Sequence, residues 1–208
     1  MNVGVIRYGA GNIDSVVRAL EVCGATPLVI DDAALLDTVG AIVLPGVGAF
    51  GHGMAALRER GFIEALQSEV LGNEIPFLGI CLGMQLLATR GEEGPERWHD
   101  GLGWIEGDVS RLPADERVPH VGWNEVYPAD TDGGDALMRG IDPGRDFYFV
   151  HSYRVVPDDA AAWAASTPYG APFCSAVVRE HIWGVQFHPE KSQSAGFEVL
   201  KNFLEAAC

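Results

Sequence analysis

The sequence predicts an α/β fold: a single domain with a central mixed, mostly parallel sheet flanked by helices, plus a C-terminal antiparallel extension. Three observations predict it. In the first half, apolar runs of strand length alternate with stretches of helical spacing, the pattern of a parallel sheet buried on both faces. In the second half, strand-like runs follow one another without helices between them. The length of 208 residues suits one sizeable domain and falls short of two typical ones, so residues 1–208 are read as one unit.

Taken in order, residues 2 to 8 form a first strand, with Val3, Val5 and Ile6 apolar. Tyr8-Gly9-Ala10-Gly11-Asn12 is a tight glycine turn. Ile13 to Cys23 carries helical spacing at Ile13, Val16, Val17 and Leu20, and Gly24 closes it. Thr26 to Ile30 and Gly40 to Leu44 are the next strands, the second ending at Pro45-Gly46-Val47-Gly48. A helix of about two to four turns follows within residues 52 to 71. Ile75 to Ile80 is a further strand, and from Met84 onward Met-Gln-Leu-Leu-Ala is a good helix former.

After Gly94 the strand candidates are Trp104 to Val109, Val121 to Tyr127, Asp146 to Val156, Ala161 to Ser166, Ala176 to Arg179 and Ile182 to Phe187. Ala195 to Leu204 closes the order as a helix with Phe197, Leu200, Phe203 and Leu204 on one face. Residues 92 to 100 and 129 to 136 read only as acidic or glycine-rich loops. In such a sheet a ligand site is expected at the carboxyl ends of the strands.

Composition narrows the classes of function. Hydrophobic residues at 48% and charged residues at 21% are those of a globular chain. A net charge of −15 disfavours a nucleic-acid partner and favours solubility. No apolar run reaches membrane-spanning length and no signal peptide is evident, so a cytoplasmic protein with no membrane partner is expected. Cys23, Cys81, Cys174 and Cys208 lack paired metal-ligand spacing, and no metal or cofactor is expected. In a cytosolic chain they are expected as free thiols, Cys23 and Cys174 structural and Cys208 frayed.

The chemistry centres on Gly79-Ile80-Cys81-Leu82-Gly83, between a strand and a helical pattern. With Ser for Cys this is the Gly-x-Ser-x-Gly elbow, a sharp strand-to-helix turn that presents a nucleophile. Glycine relieves crowding there. A thiol at a helix N-terminus is favoured as thiolate, and the Leu82 N–H points where an oxyanion would form. The alternative is a buried core cysteine.

Among the six histidines, His188 is the best base, because an apolar strand runs into His188-Pro189-Glu190. Glu190 could hold the imidazole in its productive tautomer. Alone, this triplet reads more readily as a surface histidine at a strand end beside an unrelated acid. Pro45-Gly46-Val47-Gly48 could bring backbone N–H groups to a reacting carbonyl, or could be an ordinary turn.

Together the Cys81 elbow, the Pro-Gly-Val-Gly loop and His188-Pro189-Glu190, in that order, resemble the class I (triad) glutamine amidotransferases. More narrowly the chain is similar to the family of glutaminase subunits that serve imidazole glycerol phosphate synthesis in histidine biosynthesis. That narrowing rests on Tyr8-Gly9-Ala10-Gly11-Asn12, Pro119-His120-Val121-Gly122-Trp123-Asn124, Tyr148-Phe149-Val150-His151-Ser152-Tyr153 and His188-Pro189-Glu190-Lys191-Ser192-Gln193.

The resemblance implies a type 1 amidotransferase domain over the whole chain, with no cofactor. It implies a Cys81 nucleophile, a His188 base and a Glu190 orienter, with Leu82, Val47 and Gly48 as oxyanion donors. Gly46, Gln85, Glu93 and Ser152 would contact L-glutamine. The partner implied is a (β/α)8-barrel cyclase forming a heterodimer, with Asn12, Trp123 and Lys191 near the interface. The blander readings make Asn12 a turn residue, Trp123 a core aromatic, Gln85 a solvated helix residue, Glu93 a loop carboxylate and Ser152 a sheet residue. Where the family often has Asp before Tyr-Gly-x-Gly-Asn, this chain has Arg7, which puts interface detail in doubt.

Glycine on both sides of Val47 predicts an oxyanion loop not yet formed in the isolated subunit. Competing readings are a class I glutaminase of another synthase, such as a sugar-amidating enzyme, and a non-catalytic partner-binding paralogue. A stand-alone cysteine peptidase is more distant.

Overall fold

The computed structural model describes residues 1–9, 11–93, 98–113 and 116–207. Ala10, in the glycine turn, and Cys208, expected as a frayed thiol, lie outside them, as does part of the 92 to 100 loop. The first half runs β1 (Asn2–Ile6), α1 (Ile13–Val22), β2 (Thr26–Ile30), β3 (Ala41–Gly46), α2 (Phe50–Glu59), α3 (Phe62–Leu66), β4 (Phe77–Cys81) and α4 (Leu82–Gln85). The second half continues with β5 (Ala88–Gly91), β6 (His99–Asp100), β7 (Ile105–Arg111), β8 (His120–Pro128), α5 (Asp132–Leu137) and β9 (Arg145–His151). It ends with β10 (Tyr153–Pro157), β11 (Trp163–Thr167), β12 (Phe173–Arg179), β13 (Ile182–Val185) and α6 (Gln193–Ala206).

The main sheet has the order β2-β1-β3-β4-β13-β12-β11-β8-β9. Its first five strands pair in parallel and the rest antiparallel, as the two halves of the sequence predict. β3 and β4 are buried along their whole length, which accounts for their unbroken apolar sequence. Along β1, Val3 and Val5 face one core with α1 and α6, while Ile6 faces the other with Phe50, Phe62 and Phe77.

A second, four-stranded sheet, β10-β7-β5-β6, was not separable in sequence. The run Asp146 to Val156 divides at Ser152, so that β9 joins the main sheet and β10 the small one.

Two helical expectations need correction. The helix after the elbow begins at Leu82, not Met84, and lasts one turn. Leu86, Leu87 and Ala88 then leave it, because their carbonyls accept N–H bonds from Leu102, Trp104, Ile105 and Gly103. The helical region within 52 to 71 starts at Phe50 and breaks at Gly61, whose φ is +69°.

Within the loop expected at 129 to 136 lies α5. Thr131 caps it: its hydroxyl accepts from Gly134 N–H at 3.0 Å and donates to the Trp163 carbonyl at 2.9 Å. Arg7 pairs with Asp31 at the end of β2, but both side chains are half exposed and the pair adds little stability.

Thr131→Ala is expected to lower the unfolding free energy by about 1–2 kcal/mol in urea titration, and Thr131→Ser to restore most of it.

Candidate active site

Cys81 ends β4 with φ +54° and ψ −108°, a conformation that side chains rarely adopt. The surroundings leave it no alternative. A Cβ on Gly79 would lie 2.5 Å from the Gly83 carbonyl oxygen, and one on Gly83 would overlap the carbonyl oxygen of Leu44. Glycine at these two positions lets β3, β4 and α4 pack backbone to backbone, and the strained residue between them is held in place. With only four residues, α4 carries a smaller dipole than the sequence suggested. The unpaired N–H groups of a first helical turn remain.

The histidine expected as base follows the neighbouring strand. β13 pairs in parallel with β4, placing Val185 opposite Ile80, and His188 follows three residues later. The His188 N–H donates to the Tyr148 carbonyl at 2.9 Å. Ser192 Oγ accepts from Tyr148 N–H at 3.0 Å and donates to the His188 carbonyl at 2.6 Å. The turn is therefore tied to β9 at two points and closed on itself by a third bond.

His188 Nδ1 lies 2.8 Å from Glu190 Oε1, with the side chains 4% and 2% exposed. Nδ1–H donates to the carboxylate, which leaves the buried Nε2 free to exchange a proton with sulfur. Burial alone would lower the imidazole pKa. Cys81 and Glu190 outweigh it and raise the value to about 9.

Cys81 opens onto a cavity of about 320 Å³, at the small end of ligand sites. Val47, Gly48, Leu82, Gln85, Glu93 and Ser152 line it, together with Val150, His151 and Tyr153. Gly46 sits beside it, pressed against Tyr8 and Leu82, and is not a lining residue.

Gln85 is 4% exposed, so it is not a solvated helix residue. Its Nε2 donates to the Tyr153 carbonyl and to Gln186 Oε1, both at 2.9 Å, and Oε1 is left to meet a ligand. Glu93 accepts from Phe50 N–H at the start of α2. Partial burial raises its pKa against that bond and the nearby His52.

Asn12, Trp123 and Lys191 lie on the outer surface. Asn12 donates to Ser15 Oγ at 2.8 Å. Trp123 is 48% exposed, not a core aromatic, and its ring stands against Tyr148. Lys191 Nζ lies 5.6 Å above the same Tyr148 ring. Arg7 is paired with Asp31 as described, and that pairing accounts locally for the reversed charge.

A glycine-bounded cysteine, a buried His–Glu pair in the turn after the adjacent strand and a small, largely apolar cavity at the cysteine, with Gln85 and Glu93 in its wall, suit acyl transfer from a small amide. The family model "Glutamine amidotransferase class-I" matches residues 5–207. The chain belongs to the class I glutamine amidotransferase family.

Within that family it belongs with the HisH proteins. It is 46% identical over 204 residues to the imidazole glycerol phosphate synthase subunit HisH of Moorella thermoacetica, covering 98% of this chain and 94% of that one. It is 44% identical to the HisH protein of Rhodospirillum rubrum, with both chains covered completely. A crystal structure of a glutamine amidotransferase superposes with a TM-score of 0.76 at 21% identity, covering 99% and 98% of the two chains. A glutamine amidotransferase from Thermotoga maritima gives 0.63 at 21% identity, covering 99% and 81%. These two share the amidotransferase fold.

Cys23 and Cys174 keep away from this amidotransferase site. Cys23 Sγ donates to the Phe197 carbonyl at 3.5 Å, and burial pushes the Cys174 thiol well up. Sequence reading missed Gln186, His120 and His151 as parts of the buried polar structure. The available signal for Gln186 was a lone amide in the apolar run Trp183 to Phe187.

Because folded His188 keeps its proton to higher pH than an unfolded histidine, its stabilising contribution is complete below about pH 6.5. It is lost as pH rises through about 9. NMR titration is expected to place His188 near that upper value in the native chain and well below it in Cys81→Ala.

Proposed function

We propose that this chain is the glutaminase subunit of an imidazole glycerol phosphate synthase, and that its cavity takes L-glutamine. The observation that carries this reading is Cys81, backed by the His188–Glu190 pair, opening onto a cavity that also presents Gln85 and Glu93.

Cys81 sulfur attacks the side-chain amide carbon after its proton passes to His188 Nε2. The resulting oxyanion is held by the Leu82 N–H and by N–H groups of Val47 and Gly48. His188 gives the proton to the leaving nitrogen, and ammonia departs as the C–N bond breaks. Water then attacks the thioester, with His188 as base, to give glutamate and the free thiol. Glu190 keeps Nδ1 protonated throughout. Gln85, Glu93 and Ser152 hold the α-amino and carboxylate groups of glutamine, and Gly46 supports the loop from behind.

Ammonia passes to a (β/α)8-barrel cyclase in a heterodimer, which uses it to form imidazole glycerol phosphate and the aminoimidazole carboxamide ribonucleotide. The names of the HisH relatives support this assignment. Asn12, Trp123 and Lys191 belong to the docking face. Trp123, Val121 and Val150 supply exposed apolar surface on β8 and β9, and Val150 also lines the cavity. Free thiols at Cys23, Cys81 and Cys174 suit the cytoplasm.

The oxyanion loop closes fully only in the assembled enzyme. Val47 is 45% exposed between glycines, and Gly48 has φ +104°, so the loop can reorient at low cost.

The test is glutamine hydrolysis by the chain alone and with a cyclase subunit plus its ribonucleotide. Low turnover alone and a large rise with ligand-loaded cyclase are expected. Equal turnover in both would remove the gate, and no rise with Cys81 still labelled by a glutamine-analogue electrophile would remove this partner. In the assembled enzyme, Glu190→Gln is expected to lower kcat by roughly 10²- to 10⁴-fold.

A further inference from the structure

We propose that Gln186 is a further catalytic residue: its side-chain N–H donates to Cys81 sulfur and stabilises the thiolate. This rests on the glutaminase reading only for its purpose; the hydrogen bond stands on geometry. Gln186 Nε2 lies 3.6 Å from Cys81 Sγ, an ordinary N–H···S distance, and the side chain is fully buried.

The direction of that bond follows from a fixed backbone group. The Tyr153 carbonyl oxygen can only accept. It takes Gln85 Nε2 at 2.9 Å and His151 Nδ1 at 2.8 Å, filling both lone pairs. Turning the Gln85 amide over would set its oxygen against that carbonyl. Gln85 must therefore present N–H to Gln186 as well, and Gln186 must answer with Oε1. Its own N–H is left facing sulfur.

The same carbonyl fixes the histidines on its other side. His151 Nδ1 carries hydrogen, so Nε2 accepts from His120 Nδ1 at 3.0 Å. His120 Nε2 then accepts from the Asn124 side-chain amide at 3.2 Å, which also donates to the Pro168 carbonyl at 2.9 Å. Every donor in this chain has an acceptor, and both imidazoles are neutral. Burial lowers the His120 pKa to about 4. Burial likewise lowers His151 to about 3, against the Tyr153 carbonyl, and its neighbours His120 and His188 disfavour a proton there too.

The titratable groups facing Cys81 are then accounted for. His188 and Glu190 come from the turn after β13, neutral His151 comes from β9, and Tyr8, which burial keeps protonated, comes from the end of β1. The other polar neighbour of the sulfur is the Val150 carbonyl at 3.9 Å, which can accept from a thiol but repels a thiolate. Gln186 supplies the opposing bias. The proton lost by sulfur goes to His188, so charge is conserved within the pair.

The test is the pH dependence of Cys81 alkylation by iodoacetamide, which needs no glutamine. Gln186→Leu is expected to raise the midpoint by about one pH unit and to slow labelling at neutral pH about tenfold. Gln186→Glu, which keeps the acceptor for Gln85 but puts a carboxylate beside sulfur, is expected to raise it further. Slower or faster labelling with an unmoved midpoint would mean a packing role only and would overturn the proposal. Should both variants fail to fold, the wild-type Gln186 side-chain amide resonance decides: it must shift with Cys81 titration, and a signal that stays put overturns the proposal. A shifted midpoint without glutaminase activity would defeat the functional reading instead, leaving the hydrogen bond intact.

Discussion

The backbone of α4 presses directly on that of β3 where Gly83 meets the Leu44 carbonyl, and the architecture of the site follows from that contact. It holds Cys81 at positive φ, turns its side chain out of the sheet and towards the cavity, and aligns the ends of three parallel strands. Gly46, Cys81 and the approach to His188 sit at one level because β3, β4 and β13 are paired in register. Ligand sites at the carboxyl edge of parallel strands are a general property of such sheets. Here the edge also carries the proposed oxyanion loop, nucleophile and base on adjacent strands.

Three buried histidines show how burial and partners together set charge. His188 faces a carboxylate and a sulfur and holds its proton. His151 faces a carbonyl and another imidazole, and His120 faces that imidazole and an amide; both stay neutral. The site thus confines mobile charge to the Cys81–His188–Glu190 set and surrounds it with fixed dipoles. Such pre-set dipoles need no reorganisation as charge moves.

Much of this was legible in sequence where the constraint is local. The elbow glycines, the strand before them and the His-Pro-Glu turn are read within a few residues because each motif is compact in sequence, even where its partner, such as the Leu44 carbonyl against Gly83, is distant. Elements whose ends are set by distant backbone alone were not legible. The helix after the elbow ends early because Leu102, Gly103 and Trp104 draw the chain away. The break at Ser152 sends one apolar run into two sheets, which periodicity cannot show. The hydroxyl cap of α5 was lost in a stretch that looked like loop. Gln186 looks like an interruption in a strand, and only the Tyr153 carbonyl, more than thirty residues earlier, gives its amide a direction.

β13 occupies the slot between β4 and β12 in the middle of the main sheet, although it comes late in the sequence. During synthesis on the ribosome, β4 emerges with Cys81 about a hundred residues before its neighbour exists. Until then β4 lacks its β13 neighbour, so the centre of the sheet cannot be completed before the last strand is made. The thiol spends that interval without the imidazole that would take its proton. The order of strands therefore holds back the Cys81–His188 pairing until the domain is nearly whole.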